Sequence, residues 1–435
     1  MSLTSDFRRT KIICTIGPAV SSTARIRDLI LAGMDIARLN FSHSDHETHR
    51  EILHAVRAIA KEQNRVVGIL QDLGGPKIRL GRIDAGERVL RQDEIITLGT
   101  DEGEDPSLIP VNYPYLLEDV APGDRILLAD GTVELKVKSI DKGHLTARVI
   151  IGGTIQSRKG LNLPLSSLRI PSFTEKDRVD LAMGIDEGVD FVALSFVRHE
   201  DDIICVKKII AHQRHRPMII AKIEKPQAVE RLIPILSEVD GLMVARGDLG
   251  VEMPLEEVPI IQKRVIYAAR RAGKPVITAT QMLRSMMDNP RPTRAEAADI
   301  ANSVLDGTDA LMLSDETAIG KYPVEATAVL NRISREAEAH LKEFSACLDE
   351  KAKALYGSTE SSIGRAACSM AEELGSPAIV AATTSGSTAR LVSQYRPSCP
   401  VLALTPDPLT ERQLILSWGV FPVLVSSFKN VDEIF

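Results

Sequence analysis

Eight short apolar runs, separated by helical patterns, constrain the fold of this chain more than any other feature. Apart from one long gap, they recur at intervals of about 25 to 35 residues. They span residues 11–16, 36–41, 66–71, 191–196, 218–223, 241–245, 275–280 and 310–314. Eight buried strands that alternate with helices favour a closed (β/α)8 TIM barrel over an open sheet. In such barrels, the chemistry lies at the C-terminal ends of the strands.

The gap between the third and fourth runs has a different pattern. Val133, Leu135 and Val137 alternate with polar neighbours, which is typical of a half-buried strand. Gly131 and Gly143 interrupt the segment, and residues 88–162 show no long helical period. We therefore predict an all-β insertion over residues 77–171, attached to the barrel rim where it could close as a lid.

The pattern of apolar runs and helical segments changes again after about residue 341. Strand-like runs at 378–382, 400–404 and 422–425 alternate with helical patterns, which predicts a C-terminal open α/β domain over residues 342–435. Residues 1–76 and 172–341 then form the catalytic barrel. A helix start at 430–433 lies close to Phe435, so we expect this last domain to be incomplete in the sequence.

Composition excludes several classes of protein. A net charge of −6 argues against a nucleic-acid partner, which would require a basic surface. No apolar stretch approaches the roughly 20 residues that span a bilayer, and residues 1–11 lack the apolar segment of a signal peptide. The five cysteines form no CxxC pair, a pattern typical of a reducing compartment. We predict a cytoplasmic protein that binds neither nucleic acid nor membranes.

The fifth and sixth runs carry the residues with the clearest chemistry. Lys222 and Glu224 are two positions apart, so they share one face of a strand and point into the barrel mouth. Asp248 follows the next run between two glycines, Gly247 and Gly250, which permit close approach of a ligand. Two carboxylates suit Mg²⁺, and an adjacent lysine can stabilise a phosphoryl group in transfer. A rim salt bridge beside a turn aspartate is the alternative interpretation.

The second run places Arg38, Asn40 and Ser42 at alternate positions. A guanidinium group is suited to bidentate phosphate binding, and polar side chains facing a barrel interior are costly without a ligand. A hydrated edge strand is the alternative. His43 follows them, either in the site or as a structural hydrogen-bond partner.

Hydroxyl and carboxyl groups end the seventh and eighth runs. Thr280 could donate or relay a proton, and Ser314 and Glu316 could extend that relay. The alternative is that the hydroxyl groups cap the helices that follow.

No GxxxxGK[ST] or GxGxxG motif occurs in the sequence, which excludes a P-loop or a dinucleotide turn. In the C-terminal unit, a polar segment follows a strand and opens a helix, and it could bind a phosphate or only cap the helix. It consists of Thr383, Thr384, Ser385, Gly386, Ser387 and Thr388.

Along essentially its whole length, the chain resembles the pyruvate kinase family. The motifs that carry the resemblance are TIGP at 15–18, ARLNFSH at 37–43, AKIE at 221–224, MVARGDLG at 243–250, ATQML at 279–283, PTRAE at 292–296 and MLS at 312–314. The resemblance implies the glycolytic transfer of a phosphoryl group from phosphoenolpyruvate to ADP, which yields pyruvate and ATP. It also implies a cytoplasmic, allosteric homotetramer that uses Mg²⁺ or Mn²⁺.

Site roles follow from the same resemblance. Glu224 and Asp248 would hold the metal, Lys222 and Arg38 would bind the phosphoryl group, and Gly247, Asp248 and Thr280 would line the substrate site. Thr280, Ser314 and Glu316 would protonate the enolate through water. The nucleotide would meet Pro18, Asn40, His43, Arg79 and Lys159. The segment from Thr383 to Thr388 would bind the phosphate of a sugar-phosphate or nucleotide effector.

One motif departs from the common family pattern. Many members have Asp-Thr-Lys-Gly-Pro-Glu-Ile-Arg where residues 72–79 of this chain read DLGGPKIR. The glutamate form is similar to members that need K⁺, bound in the region that here contains Asn40, Ser42, Asp72 and Leu73. Lys77 places a fixed positive charge at the glutamate position, so our hypothesis is that K⁺ is not required. Gly74 replaces a common lysine, which leaves the role of that position open.

Two rival functions are a metal-dependent aldolase or lyase of 2-oxo acids on a related barrel, and a non-catalytic sensor. A lyase does not need a lysine that neutralises phosphate. A sensor does not need the complete set Arg38, Lys222, Glu224, Asp248 and Thr280. Both observations favour phosphoryl transfer.

Overall fold

Eight parallel strands close into a barrel in the order in which they occur along the chain. The structure is a computed structural model that describes residues 7–83, 86–100, 108–129, 131–141, 143–164, 168–341, 343 and 359–426. The first to eighth barrel strands are Lys11–Thr15, Ile36–Asn40, Gly68–Asp72, Phe191–Leu194, Met218–Ile223, Gly241–Ala245, Val276–Ala279 and Ala310–Leu313. The first strand pairs with both the second and the eighth, which closes the barrel. The predicted (β/α)8 fold is confirmed.

The barrel strands are almost entirely buried because both of their faces are covered. One set of side chains fills the barrel interior, including Ile13, Leu70, Phe191, Met243 and Met312. The alternate set packs outward against the surrounding helices. Two buried faces explain why the strands read as nearly continuous apolar runs in the sequence.

Helices surround the barrel and connect its strands. They are Thr23–Ala32, His46–Glu62, Glu175–Asp186, Glu200–Ala211, Pro226–Glu230, Leu232–Glu238, Arg246–Glu252, Val258–Arg271, Arg294–Asp306, Asp315–Ala318 and Pro323–Ala339, with short 3-10 turns at Leu255–Glu257 and Arg284–Met287. Thr174 and Thr293 begin two of them with a capping box, which satisfies the free amides of the first turn.

The segment between the third and fourth barrel strands forms two small sheets. In spatial order, the six-stranded sheet contains Leu161–Asn162, Arg125–Leu128, Val133–Asp141, His144–Ile151, Ile95–Gly99 and Leu108–Pro110. Gly153–Gln156 pairs with Glu87–Leu90, and Leu116–Asp119 is a single helical turn. Val133, Leu135 and Val137 are buried, which confirms the predicted half-buried strand. These sheets have a hydrophobic core of their own. The domain boundaries at 77 and 171 stay predictions.

The C-terminal unit is a parallel three-stranded sheet of Ile379–Ala382, Val401–Thr405 and Val420–Leu424. Its helices are Thr359–Glu373, Ser387–Ser393 and Pro408–Leu414. Ile415 and Leu416 extend the apolar cluster of the barrel interior, so this unit covers the N-terminal end of the barrel. The helix start predicted at 430–433 lies outside the described residues. Within the described ranges, no helix has the length and apolarity needed to cross a membrane.

Candidate active site

Lys222 lies at the centre of a buried charge cluster at the C-terminal rim of the barrel. Its Nζ is 2.8 Å from Glu224 Oε1 and 3.2 Å from Asp72 Oδ1, and it donates a hydrogen bond to Ser195 Oγ at 2.7 Å. Burial lowers the pKa of Lys222, but the surrounding carboxylates outweigh it and leave the pKa above that of a free lysine. The ammonium group therefore stays charged at neutral pH.

Glu224 and Asp248 are the two carboxylates that could hold a divalent metal. Glu224 Oε2 accepts a hydrogen bond from the Phe196 amide at 2.6 Å. Among the described residues, the Asp248 carboxylate has no hydrogen-bond or ion-pair partner. Burial raises the pKa of Glu224, and the charge of Asp248 adds to this against the effect of Lys222. A cation between the two carboxylates would relieve their repulsion, and all of their ligand atoms are oxygens, as Mg²⁺ prefers.

This pair is smaller than a complete metal-binding cluster. In the part of the chain that the structure describes, no group of three or more His, Cys, Asp or Glu side chains has metal-binding geometry. A two-carboxylate site would leave coordination positions for substrate and water. The sequence placed Asp248 at a strand end, whereas it lies in the first turn of the helix Arg246–Glu252.

Arg38 is anchored beside the cluster by two contacts. Its Nε donates to Asp72 Oδ2 at 2.8 Å and its Nη1 donates to Thr15 Oγ1 at 2.9 Å. Neither contact uses Nη2, which leaves that group for a ligand. Burial favours the neutral form of Asp72, but Lys222 and Arg38 hold its pKa below the ordinary value. Asp72 therefore joins the two cations into one rigid unit.

Of Arg38, Asn40 and Ser42, predicted to share one strand face, only the first two lie in the strand. The strand ends at Asn40, whose Oδ1 accepts a hydrogen bond from the Ser42 amide at 3.1 Å. Ser42 therefore lies in the loop beyond the strand. A Cβ at Gly74 would lie 3.2 Å from Ser42 Oγ, so a side chain at position 74 would crowd this loop.

Thr280 lies on the opposite side of the rim in an unusual backbone conformation. Its φ is 70°, in the left-handed region, and Gln281 follows with a φ of 56°. Thr280 Oγ1 accepts a hydrogen bond from the Gly247 amide at 2.7 Å, an approach that the absence of a side chain at Gly247 permits. Arg246 holds the loop by donating to the Thr280 carbonyl at 2.8 Å.

Ser314 and Glu316, predicted to extend a proton relay, differ in whether their side-chain oxygens already have hydrogen-bond partners. Ser314 Oγ is buried and has no hydrogen-bond partner among the described residues, so it could bond to a ligand or water. The two Glu316 oxygens accept hydrogen bonds from the amides of Leu283 and Ser314, at 3.1 and 2.8 Å. Glu316 therefore fixes the rim loops after the seventh and eighth strands. This structural role is an alternative to its predicted part in the relay.

A cleft between the rim and the β insertion contains Lys77, Arg79, Phe196, Lys225 and Asp248. Burial lowers the pKa of Lys77 and the charge of Lys222 lowers it further, while the nearby carboxylates oppose both. Its side chain nevertheless keeps solvent contact, which limits the effect of burial.

Of the residues expected to contact nucleotide, Arg79 lines this cleft directly. Burial and the charges of Lys77 and Arg79 lower the pKa of His43, an exposed residue at the rim. Arg79 pairs with Gly160, which places it beside Lys159 on the insertion. Pro18 is exposed on the loop after the first strand. The structure thus brings barrel and insertion residues to one opening.

The polar segment of the C-terminal unit forms a compact turn far from this cleft. The Gly386 amide donates to Thr383 Oγ1 at 2.9 Å, and Ser385 Oγ lies 3.1 Å from Ser387 Oγ. Thr410 Oγ1 donates to the Thr384 carbonyl at 3.0 Å. Thr384, Ser385, Ser387 and Thr388 are exposed. Their predicted effector role stays a prediction.

Sequence reasoning missed Ser195 and Phe196. Ser195 Oγ accepts from Lys222 and donates to the Leu73 carbonyl at 2.8 Å, so it fixes the position of the ammonium group. Phe196 has a φ of 57° and directs its amide at Glu224. The signal available was position alone, because Ser195 is a hydroxyl near the end of the fourth apolar run, as Thr280 is in the seventh.

Comparison with known proteins agrees with this geometry. Residues 7–327 match the family profile described as "Pyruvate kinase, barrel domain", and residues 361–435 match "Pyruvate kinase, alpha/beta domain". The chain belongs to the pyruvate kinase family. It is therefore a phosphotransferase, and the family match does not favour the rival lyase.

Individual pyruvate kinases are similar over nearly the whole chain. Pyruvate kinase 2 of Synechocystis sp. is 49% identical over 433 residues, which cover 98% of this chain and 72% of that protein. Pyruvate kinase of Geobacillus stearothermophilus is 45% identical over 430 residues, which cover 98% and 73%. The crystal structure of a pyruvate kinase from Cryptosporidium parvum superposes with a TM-score of 0.92 at 37% identity, covering 98% of this chain and 89% of that one.

Proposed function

We propose that this pyruvate kinase homologue transfers a phosphoryl group from phosphoenolpyruvate to ADP with the aid of Mg²⁺ or Mn²⁺. The single observation that carries the proposal is Lys222 held beside the carboxylates Glu224 and Asp248 at the barrel rim. A fixed ammonium group next to a metal-binding carboxylate pair suits the stabilisation of charge on a phosphoryl group. A lyase would have no use for this lysine.

Each residue has a role that its contacts support. Glu224 and Asp248 would hold the metal, which supplies positive charge to the substrate carboxylate and phosphate when bound. Lys222 would bind the phosphoryl oxygens from the fifth strand, and Arg38 would bind them from the second strand through Nη2, which its described contacts do not use. Because Asp72 and Ser195 fix these cations, they need no reorganisation during transfer.

Substrate and nucleotide would enter from opposite sides of the metal pair. Gly247, Asp248 and Thr280 would bind phosphoenolpyruvate, and the nucleotide would contact Pro18, Asn40, His43, Arg79 and Lys159. The Thr280 hydroxyl accepts from Gly247 and retains its own proton to donate. With Ser314 Oγ unpartnered, a water between them would complete the delivery of a proton to the enolate.

The assay that tests the proposal is ATP formation from phosphoenolpyruvate and ADP. We expect ATP to form with Mg²⁺ and to stop with excess chelator, and added Mg²⁺ should restore it. A folded protein that forms no ATP in the presence of metal would contradict the proposal.

We further propose that Lys77 replaces a bound K⁺. Its ammonium group lies near Asp72, Glu224 and Asp248, so its charge acts on the same cluster. Turnover should be equal in K⁺ and in a large inert cation such as tetramethylammonium. The Lys77→Glu variant should become dependent on K⁺, with Lys77→Gln as the control for simple loss of charge. Strong K⁺ activation of the unmodified enzyme would contradict the proposal.

The remaining family expectations are also proposals for this chain. They comprise a homotetramer, cytoplasmic glycolytic activity and an effector phosphate bound by residues 383–388. The exposed hydroxyl groups of that segment support the last of these. Activation by a sugar phosphate or a nucleoside monophosphate that Thr384→Val abolishes would support it, and activation that survives this change would contradict it.

A further inference from the structure

A second cleft, of about 570 Å³, lies between the N-terminal end of the barrel and the C-terminal unit. Its barrel wall includes Ile210, Arg216 and Lys274, and its other wall includes Arg390 and Leu391. Small-molecule sites have volumes of roughly 300 to 1,000 Å³. The start of the fifth strand borders this cleft and its far end carries Lys222, so the cleft is separate from the candidate active site.

Basic side chains dominate the charge of this cleft. Lys207, Arg216, Lys274 and Arg390 line it, against the single carboxylate of Asp240. Lys207 is neutralised by Glu238, at 2.9 Å. Across the ranges that the structure describes, none of the other three forms an ion pair. An excess of unneutralised positive charge favours an anionic ligand.

Lys274 and Arg390 are held in place by neutral partners. Lys274 Nζ donates to the carbonyls of Leu236 and Val239 at 2.7 and 2.6 Å. Arg390 Nη2 donates to the Ser385 carbonyl at 2.7 Å. These contacts orient the cations without neutralising them, although the charge of Asp240 offsets part of theirs.

Arg390 also has an unused donor. Its Nη1 is buried, and within the described part of the chain it has no hydrogen-bond partner. Buried guanidinium groups are ordinarily hydrogen-bonded, since an unmade bond costs free energy. Burial lowers the pKa of Arg390 against the opposing effect of Asp240, but an arginine remains charged. The guanidinium group therefore keeps a hydrogen-bond donor that no described residue satisfies.

The rest of the lining is apolar. Ile210, Pro217, Met218 and Leu391 form a surface beside the basic groups. A ligand that matches both features has an anionic group at one end and an apolar body at the other. Two planar guanidinium groups, Arg216 and Arg390, favour phosphate among the possible anions.

We propose that this cleft binds a small phosphate monoester with an apolar body, through Arg216, Lys274 and Arg390. The bound molecule would contact the barrel and the C-terminal unit together, so binding would strengthen their association. Arg390 also donates a hydrogen bond to the Ser385 carbonyl. This contact connects the cleft to the polar segment 383–388. The proposal concerns binding and does not depend on the proposed reaction.

Calorimetric titration of the full chain with phenyl phosphate tests this proposal. Phenyl phosphate should bind more tightly than inorganic phosphate or phenol, because only it combines both features. Arg390→Gln and Arg216→Gln should each weaken binding about tenfold, the loss of one charged hydrogen bond. Arg365→Gln, an exposed arginine of the same unit outside the cleft, should leave binding unchanged.

Other variants distinguish the cleft from the remaining anion sites. Lys222→Met and Thr384→Val should not affect the affinity for phenyl phosphate. Undetectable binding, affinity unaltered by Arg216→Gln and Arg390→Gln, or a loss caused equally by Lys222→Met or Thr384→Val would overturn the proposal. If Arg390→Gln does not fold, Arg216→Gln suffices, because the Arg216 side chain is exposed and its one hydrogen bond to a described residue is to the neighbouring Gln213 carbonyl.

Discussion

The two ends of the barrel both contain buried charges, but these charges are satisfied differently. At the N-terminal end, Asp190 accepts from Arg57 and Arg412, each at 2.7 Å, and from the Ile69 amide at 2.8 Å. At the C-terminal rim, the Asp248 carboxylate has no partner among the described residues. Fully paired carboxylates stabilise the junction with the C-terminal unit, whereas an unpaired one is available to a ligand. Residue type alone does not distinguish the two uses.

Two buried lysines extend the comparison. Burial lowers the pKa of Lys11, at the start of the first strand, to about 8, and Asp35 only partly opposes it. Its Nζ donates to the Val420 carbonyl at 2.7 Å. Lys222, at the end of the fifth strand, has a raised pKa because three carboxylates surround it. The same side chain is therefore a structural donor at one end and a permanent cation at the other.

The largest expected effect comes from removing the charge at the rim. Lys222→Met should lower kcat by about a thousandfold, the size of effect seen when one electrostatic donor is lost from a reacting centre. The change also leaves the buried carboxylates of Asp72 and Glu224 without this cation, so urea unfolding should show some loss of stability and kcat is to be compared per folded molecule. Steady-state kinetics and metal binding check this together. Unchanged kcat would remove Lys222 from its proposed role.

At the N-terminal end of the barrel, removing a charged side chain should lower stability and leave turnover unchanged. Asp190→Ala leaves two buried guanidinium groups without their carboxylate, and breaking such a pair destabilises by about 3 to 5 kcal/mol. The change should appear in urea unfolding, while kcat per folded molecule stays the same. Asp186→Ala, at an exposed carboxylate nearby, is the control. Equal stability of both variants would contradict the division between the two ends.

A smaller effect is expected at Ser195, which touches Lys222 but not the reacting groups. Ser195→Ala should lower kcat about tenfold and leave KM nearly unchanged, because the ammonium group loses a fixed acceptor. Ser195→Thr keeps the hydroxyl and should recover most of the activity. If the threonine variant were as slow as the alanine variant, packing rather than the hydrogen bond would explain the loss.

The smallest effect concerns pH and Lys11. The folded-state pKa of about 8 lies below the value of 10.5 for a free lysine, so the unfolded chain binds more protons between these pH values. Lys11 should therefore make the free energy of unfolding rise with pH across that window. Urea unfolding of the natural chain and of Lys11→Met, measured from pH 7 to 10.5, isolates this contribution. If the free energy of unfolding changed with pH in the same way for both proteins, Lys11 would make no such contribution.

Much of the barrel could be predicted because each strand is short, apolar and followed by a helical period. The prediction that Lys222 and Glu224 point the same way needed only strand periodicity. Predicted and observed strand ends differ where backbone conformation intervenes, as at Thr280, where the left-handed φ ends the seventh strand one residue early.

The unpredicted part of the site consists of contacts between distant segments. Ser195 bridges Lys222 and the Leu73 carbonyl, and Asp72 joins Lys222 to Arg38. No local pattern in the sequence marks such pairs, since they exist only after the barrel has closed. Resemblance to the family predicted which residues form the reaction centre, but it did not predict the residues that hold them in place.

The position of the β insertion has a consequence for the order of folding. The third and fourth barrel strands pair directly, with Leu70 opposite Phe191, although the whole insertion lies between them in the chain. Closing so long a loop costs about 1 kcal/mol more than closing an ordinary βα unit. The insertion has its own core and antiparallel hairpins such as Val133–Asp141 with His144–Ile151. Its early folding would bring its two ends together and shorten the search by which the barrel closes.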